Sequence, residues 1–241
     1  APIGLGPELL AAAVAVDPDA VAVIDGARSL TYRELDETSN RLARLLIAGG
    51  VGPERAVGVA MDRCAELVVA WWAVLKAGGV YVPVDRTPPV ERIATVLDSV
   101  AATCVLTRDT DQIGGAGSRP VLRADADLSG YGAEPITDAE RSAPLTVDNT
   151  AYVIFTSGST GEPKGVINTH RMLTANQESL RACWPFLEAE PPVVVDWLPW
   201  SHTFGANHNF NLVLRNGGTL YVDRGRPVPG LLETTLANLA E

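Results

Sequence analysis

Short apolar runs alternate with longer amphipathic stretches along the whole chain. Val21-Ala22-Val23-Ile24 is a continuous apolar run closed by Asp25-Gly26, and Ser29-Leu30 follows. This pattern predicts a strand, a tight turn and a return strand. Thr31 followed by Glu34 is a capping-box signature. The helix it opens carries Leu35, Leu42, Leu45 and Leu46 on one face and stops at Gly49-Gly50. Ala56 to Met61 reads as a buried strand. Cys64 to Ala77 is a strongly apolar helix ended by Gly78. Val80 to Val84 is a strand whose Pro83 marks an edge or a strand end. Pro88-Pro89 opens a helix through Ser99, and Thr103 to Thr107 is the next strand. Residues 109–148 are rich in Gly, Asp, Ser and Pro with one short apolar run at Val121-Leu122. They predict surface loop and a possible sub-domain seam. Beyond them the alternation resumes. Strand-like runs flank residues 156–165, Thr169 caps a helix from His170 to about Trp184, and Val193 to Asp196 is a strand. A helix follows from Phe204 to Arg215, then a strand from Thr219 to Val222 and a helix from Leu231 to Ala240. Alternating apolar strands and helices predict an α/β fold, mainly parallel sheet with helices on both faces.

Bulk properties narrow the function classes. The 241 residues are 46% hydrophobic and 20% charged, with a formal net charge of -10. That balance argues against a nucleic-acid partner, whose binding face is basic. Cys64, Cys104 and Cys183 lie far apart, without metal-ligand spacing, and read as buried free thiols of a reducing, cytoplasmic protein. The apolar stretch Leu9 to Val16 follows Glu8 rather than a basic region, so it makes a poor signal peptide. The run around Leu67 to Leu75 lies between Glu66 and Lys76 and is too short to span a membrane.

The chemistry concentrates in Thr156-Ser157-Gly158-Ser159-Thr160-Gly161-Glu162-Pro163-Lys164-Gly165. Glycines let a backbone turn sharply and approach a ligand. Successive N–H groups in such a turn form an anion cradle. The hydroxyls add donors and Lys164 adds a point charge, which together describe a polyphosphate grip. The spacing is not that of a Walker P-loop, since Gly161 is followed by Glu162-Pro163 and Lys164 by Gly165.

This stretch closely resembles the phosphate loop of adenylate-forming (AMP-binding) enzymes. The superfamily includes acyl- and aryl-CoA ligases, adenylation domains of nonribosomal peptide synthetases, and luciferases. Leu30 to Leu35 resembles the first family motif, and Leu75 to Asp85 resembles the second in its peptide-synthetase form. Pro199-Trp200-Ser201-His202-Thr203-Phe204-Gly205 resembles the Pro-x-x-His-x-x-Gly segment of CoA ligases. Residues 165–173, 195–210 and 217–223 look more specifically like feruloyl-CoA synthase, whereas the front of the chain, up to about Asp148, looks like a peptide-synthetase domain. The resemblance implies that ATP, with Mg2+, activates a carboxylic acid as its acyl-adenylate. The acyl group then passes to CoA or to a carrier-protein phosphopantetheine thiol. Thr156, Ser157, Ser159 and Thr160 would supply hydroxyls and N–H groups. Gly158 and Gly161 would allow close approach, and Lys164 would neutralise phosphate charge. Trp200, His202 and Gly205 would line the acyl pocket, His202 next to the adenylate.

An acyl- or aryl-acid CoA ligase is the leading expectation. An amino-acid adenylation domain is the alternative, and a truncated nucleotide- or partner-binding module is a second. The Phe-Asp pair by which peptide-synthetase domains hold an α-ammonium is missing near His202, which favours an acid without an α-amino group. By resemblance the chain holds the N-terminal portion of the adenylating unit. The magnesium ligand, the remainder of the large domain and the lid with its lysine are expected beyond Glu241, and the chain alone is expected to be inactive. Without the resemblance, His202 reads more readily as a locally satisfied histidine at a helix N-terminus, and Asp196 at least as readily as a strand-end cap or structural acceptor. His170 reads as a packing or capping residue.

Overall fold

The computed structural model describes residues 4–108, 113–157, 163–202, 204–225 and 228–240. Its elements are α1 (Gly6–Val16), β1 (Val21–Asp25), β2 (Arg28–Thr31), α2 (Tyr32–Ala48), β3 (Ala56–Val59), α3 (Ala65–Ala77), β4 (Val80–Pro83), α4 (Val90–Ser99), β5 (Cys104–Thr107) and β6 (Val121–Arg123). They continue as β7 (Thr150–Ser157), β8 (Pro163–Thr169), α5 (His170–Cys183), β9 (Val193–Asp196), α6 (Asn211–Arg215), β10 (Thr219–Val222) and α7 (Leu232–Asn238). The hydrophobic pattern does not predict α1, because its apolar residues run continuously rather than with helical spacing.

The strands form two sheets. One has the order β2-β1-β10-β9 and the other β6-β5-β3-β4-β7-β8. Every described pairing is parallel except β1 with β2 and β7 with β8. β4 lies between β3 and β7, so Pro83 marks a strand end and not an edge. Side chains alternate across the larger sheet as the pleat requires. Val57, Val59, Tyr81, Leu106 and Ile154 face the main core. Val82, Val105 and Val153 face the other way, where Ile93 and Leu97 of α4 also pack. At Gly58 a Cβ would stand 2.5 Å from the Leu97 side chain, so α4 sits closer to β3 than any other residue permits.

Helix α3 organises the interior. It touches β1 of one sheet and β3 and β4 of the other, and all of its residues are buried. A helix apolar all round is what a position between two sheets demands. Its single lysine, Lys76, donates to the Asp36 carboxylate at 2.7 Å, the Asp36 carbonyl at 2.9 Å and Ser39 Oγ at 2.8 Å. Burial pushes the Lys76 pKa down to about 8 against the opposing pull of Asp36. Helix α2 opens with the predicted capping box, Glu34 N–H to Thr31 Oγ1 at 3.2 Å and Thr31 N–H to Glu34 Oε2 at 2.8 Å.

Two segments differ from the pattern's expectation. The described part of 109–148 contributes β6 to the sheet and buries Ala124, Leu128 and Leu145. Asn40 and Arg44 of α2 donate to the carbonyls of Ala133, Gly132 and Glu134, which straps this segment to the core. The helix expected over 204–215 begins as a π-helix, Phe204–Phe210, before α6. Asn211 Nδ2 donates back to the Ala206 carbonyl at 3.1 Å. Such side-chain competition for backbone acceptors favours departures from regular α-helix. Cys64 and Cys104 are buried free thiols as expected, while Cys183 is exposed. No helix among the described residues is long and apolar enough to cross a membrane.

Candidate functional site

The described ends of the phosphate-loop sequence belong to β7 and β8, which pair antiparallel. Ser157 pairs with Pro163, Thr156 with Lys164 and Phe155 with Gly165. Gly158, Ser159, Thr160 and Gly161 lie outside the described residues. Directly opposite residues on an antiparallel pair share a face. Thr156 and Lys164 therefore stand side by side, both exposed. β7 runs parallel to β4, so Thr156 and Lys164 lie at the carboxyl edge of the parallel strands, where open α/β sheets bind ligands.

A cavity of about 420 Å³ opens at this edge. Phe155, Thr156 and Pro163 form one wall, and Pro83 to Asp85 with Arg92 and Ile93 form a second. Ser201 and His202 close it from the segment after β9. The structure thus joins Thr156 and His202, which are far apart in sequence and stand on segments from different sheets. The wall from β4 into α4 carries the second family motif at its start, but Asp85 and Arg92 had no chemical signal of their own.

His202 is exposed at the cavity rim. Its N–H donates to the Pro199 carbonyl at 3.2 Å, and its own carbonyl accepts the Ala206 N–H at 2.9 Å. Gly205 is buried, and a Cβ there would meet the Pro199 carbonyl oxygen at 2.4 Å. The glycine is needed so that the π-helix can press against this turn. Trp200 turns away from the cavity into the core, at 4% exposure. Its indole N–H donates to Asp196, and its ring stands edge-on to Phe210 at 5.3 Å. Asp196 is buried and acts as a structural acceptor. His170 packs at the start of α5, where its Nδ1 accepts the Gly6 N–H at 3.0 Å. Burial, with Arg141 nearby, pushes its pKa down to about 4.

A second cavity, of about 350 Å³, lies on the outer face of the same hairpin, against Val80, Val100, Val153 and Ile167. Its one carboxylate, Glu54, is committed to Asn149 and Thr150. Among the described residues no group of three or more His, Cys, Asp or Glu side chains is placed to hold a metal ion.

The fold is thus a mainly parallel α/β sheet with a hydroxyl- and lysine-bearing hairpin at its carboxyl edge. The chain belongs to the AMP-binding enzyme family, whose profile matches residues 10–239. It is 45% identical over 181 residues to the probable non-canonical nonribosomal peptide synthetase CymA of Salinispora arenicola, covering 75% of this chain and 2% of that protein. In structure it is similar to the nonribosomal peptide synthetase FmoA3, with a TM-score of 0.85 and 30% identity, over 98% of this chain and 25% of that one. FmoA3 has also been solved with AMPPNP bound. The N-terminal subdomain of Klebsiella oxytoca NpsA, in complex with 3-hydroxybenzoyl-AMSN, superposes with a TM-score of 0.79 at 27% identity, over 98% of this chain and 57% of that one. The chain therefore spans a small fraction of the curated relative it matches. Peptide synthetases fit the amino-acid-adenylation alternative better than the CoA-ligase expectation raised by the sequence.

Proposed function

We propose that this chain is the phosphate-gripping part of an adenylation unit of the nonribosomal peptide synthetase type. The carboxylate of an acid attacks the α-phosphate of ATP, pyrophosphate leaves, and the acyl-adenylate passes to a carrier-protein thiol. The observation that carries the reading is the shared cavity of Thr156 and His202, with Lys164 paired to Thr156 across the hairpin. Negative charge grows on the departing pyrophosphate, so donors held in place beforehand favour the transition state. Thr156 and Lys164 supply such donors from the hairpin, joined by Ser157, Gly158, Ser159, Thr160 and Gly161. His202 approaches from the opposite wall, where it meets the acid and its adenylate. Mg2+ would neutralise part of the ATP phosphate charge, its ligand being expected outside the described residues.

The acid we infer lacks an α-ammonium group. Two observations support this. No Phe-Asp pair occurs in the 199–205 segment. The nearby carboxylate, Asp196, is consumed by its own loop. The aryl-adenylate analogue bound by NpsA is in keeping with an aromatic acid. A second reading, transfer to CoA, is favoured by the likeness of residues 195–210 to feruloyl-CoA synthase.

Acid-dependent ATP–pyrophosphate exchange by the full-length protein tests the reading, with aromatic, fatty and amino acids compared. Exchange is expected with aromatic acids, and silence with every acid would overturn the proposal. Exchange restricted to amino acids would overturn the choice of acid alone. Loading of a holo-carrier protein against CoA then separates the two acceptors.

A further inference from the structure

The turn that carries His202 is held by groups outside the cavity wall. Asp196, the last residue of β9, is 1% exposed. Its Oδ1 accepts the Leu198 N–H at 3.0 Å and the Asn209 Nδ2–H at 3.3 Å. Its Oδ2 accepts the Trp200 indole N–H at 2.8 Å. A carboxylate this deeply buried is tolerated only while its donors stay in place. Arg63, between β3 and α3, donates to the Leu198 carbonyl at 3.2 Å and the Asp196 carbonyl at 3.5 Å. The turn is therefore clamped from its own strand and from the larger sheet. Two further backbone bonds join the turn, His202 N–H to the Pro199 carbonyl at 3.2 Å and, from the π-helix, Ala206 N–H to the His202 carbonyl at 2.9 Å.

We propose that Asp196 is a positioning residue for His202, an inference that rests on the adenylation reading. It acts through Leu198 and Trp200, fixing the Pro199–His202 turn so that the imidazole stays opposite Thr156 across the cavity. Both carboxylate oxygens accept, and both are used. An amide of the same shape accepts at one end and donates at the other. Asp196→Asn therefore keeps the volume but sets an NH2 group against an N–H of Leu198 or Trp200, and the turn must shift. A displacement on the order of 1 Å at a reacting centre costs up to about 100-fold in rate.

The test is ATP–pyrophosphate exchange by the full-length protein with its best acid. Asp196→Asn is expected to lower kcat about tenfold or more, with the KM for ATP changed less than about twofold, because the phosphate hairpin stands on the other sheet. In a His202→Ala background the same substitution is expected to change little, since residues acting through one another are not additive. Arg63→Lys, which keeps the charge but loses the fork, gives a weaker loss in the same direction and serves should the Asp196 variant fold poorly. An unchanged kcat in Asp196→Asn, or losses that multiply with His202→Ala, overturns the proposal. A readout free of activity is the imidazole NMR resonance of His202. It should move in Asp196→Asn and in Arg63→Lys while that of His170 stays still. An unmoved His202 signal also overturns the proposal, whereas absence of exchange in the unsubstituted protein counts against the adenylation reading instead.

Discussion

Lys164 and His170 show how differently two polar residues can be used. Lys164 is exposed beside Thr156, and in the proposed site its value lies in charge offered to a ligand. Lys164→Met should lower the rate of pyrophosphate exchange by about 10²-fold, the usual cost of one preorganised donor, and leave thermal stability unchanged. Parallel exchange assays and melting curves decide it; equal exchange rates would remove Lys164 from the mechanism. His170 is buried, and its value lies in staying neutral. Its folded pKa, about 4, is below the ordinary 6.5, so between those values the unfolded chain binds the extra proton. Stability from this site is complete above about pH 6.5 and is lost as pH falls toward 4, a change of about 3 kcal/mol. Urea unfolding at pH 7 and pH 5 should show this slope, and His170→Gln should lack it; matching slopes would refute the assignment. At this scale the sequence was half legible. The pairing of Thr156 with Lys164 was readable because a glycine-rich run between two strand-like runs implies a turn. The inward turn of Trp200 was not, because nothing in the motif fixes which way its ring points.

Element boundaries follow local chemistry closely. The capping box set the start of α2 and the left-handed Gly78 set the end of α3. Where two elements meet, the constraint becomes steric. Gly58→Val would drive branched carbons into Leu97 and should cost about 1–3 kcal/mol, read as a lower urea midpoint. An unchanged midpoint would mean that α4 moves freely over β3. The π-helix at Phe204–Phe210 was not legible, because the apolar spacing of that segment suits an α-helix equally well. What decides it is the close seat of Gly205 on Pro199 and the bond from Asn211 to Ala206, both visible only once the chain is folded.

Across the whole molecule, one continuous core joins the inner faces of both sheets through α3. Tyr32 adds a polar tie, its hydroxyl 2.7 Å from the Gly218 carbonyl and 3.1 Å from that of Leu214. With a shared core, the sheets should unfold together. Tryptophan fluorescence, to which Trp71 and Trp72 in α3 contribute together with Trp184, Trp197 and Trp200, and far-ultraviolet circular dichroism should trace one coincident urea transition. Two separated transitions would show that the sheets are independent units. Tyr32→Phe should shift that single midpoint by about 1–2 kcal/mol without splitting it.

The sequence alone determined the strand–helix alternation, the caps and the strands that flank residues 156–165, because each depends on neighbours within a few residues. The tertiary structure decided the sheet order, the burial of α3 and the cavity that sets His202 against Thr156. Those depend on contacts between residues tens of positions apart, which periodicity does not encode. Asp196 marks the boundary between the two. Its type and its place at a strand end were plain from the chain, but that its carboxylate is spent on Leu198, Trp200 and Asn209 emerged only when the turn had closed around it.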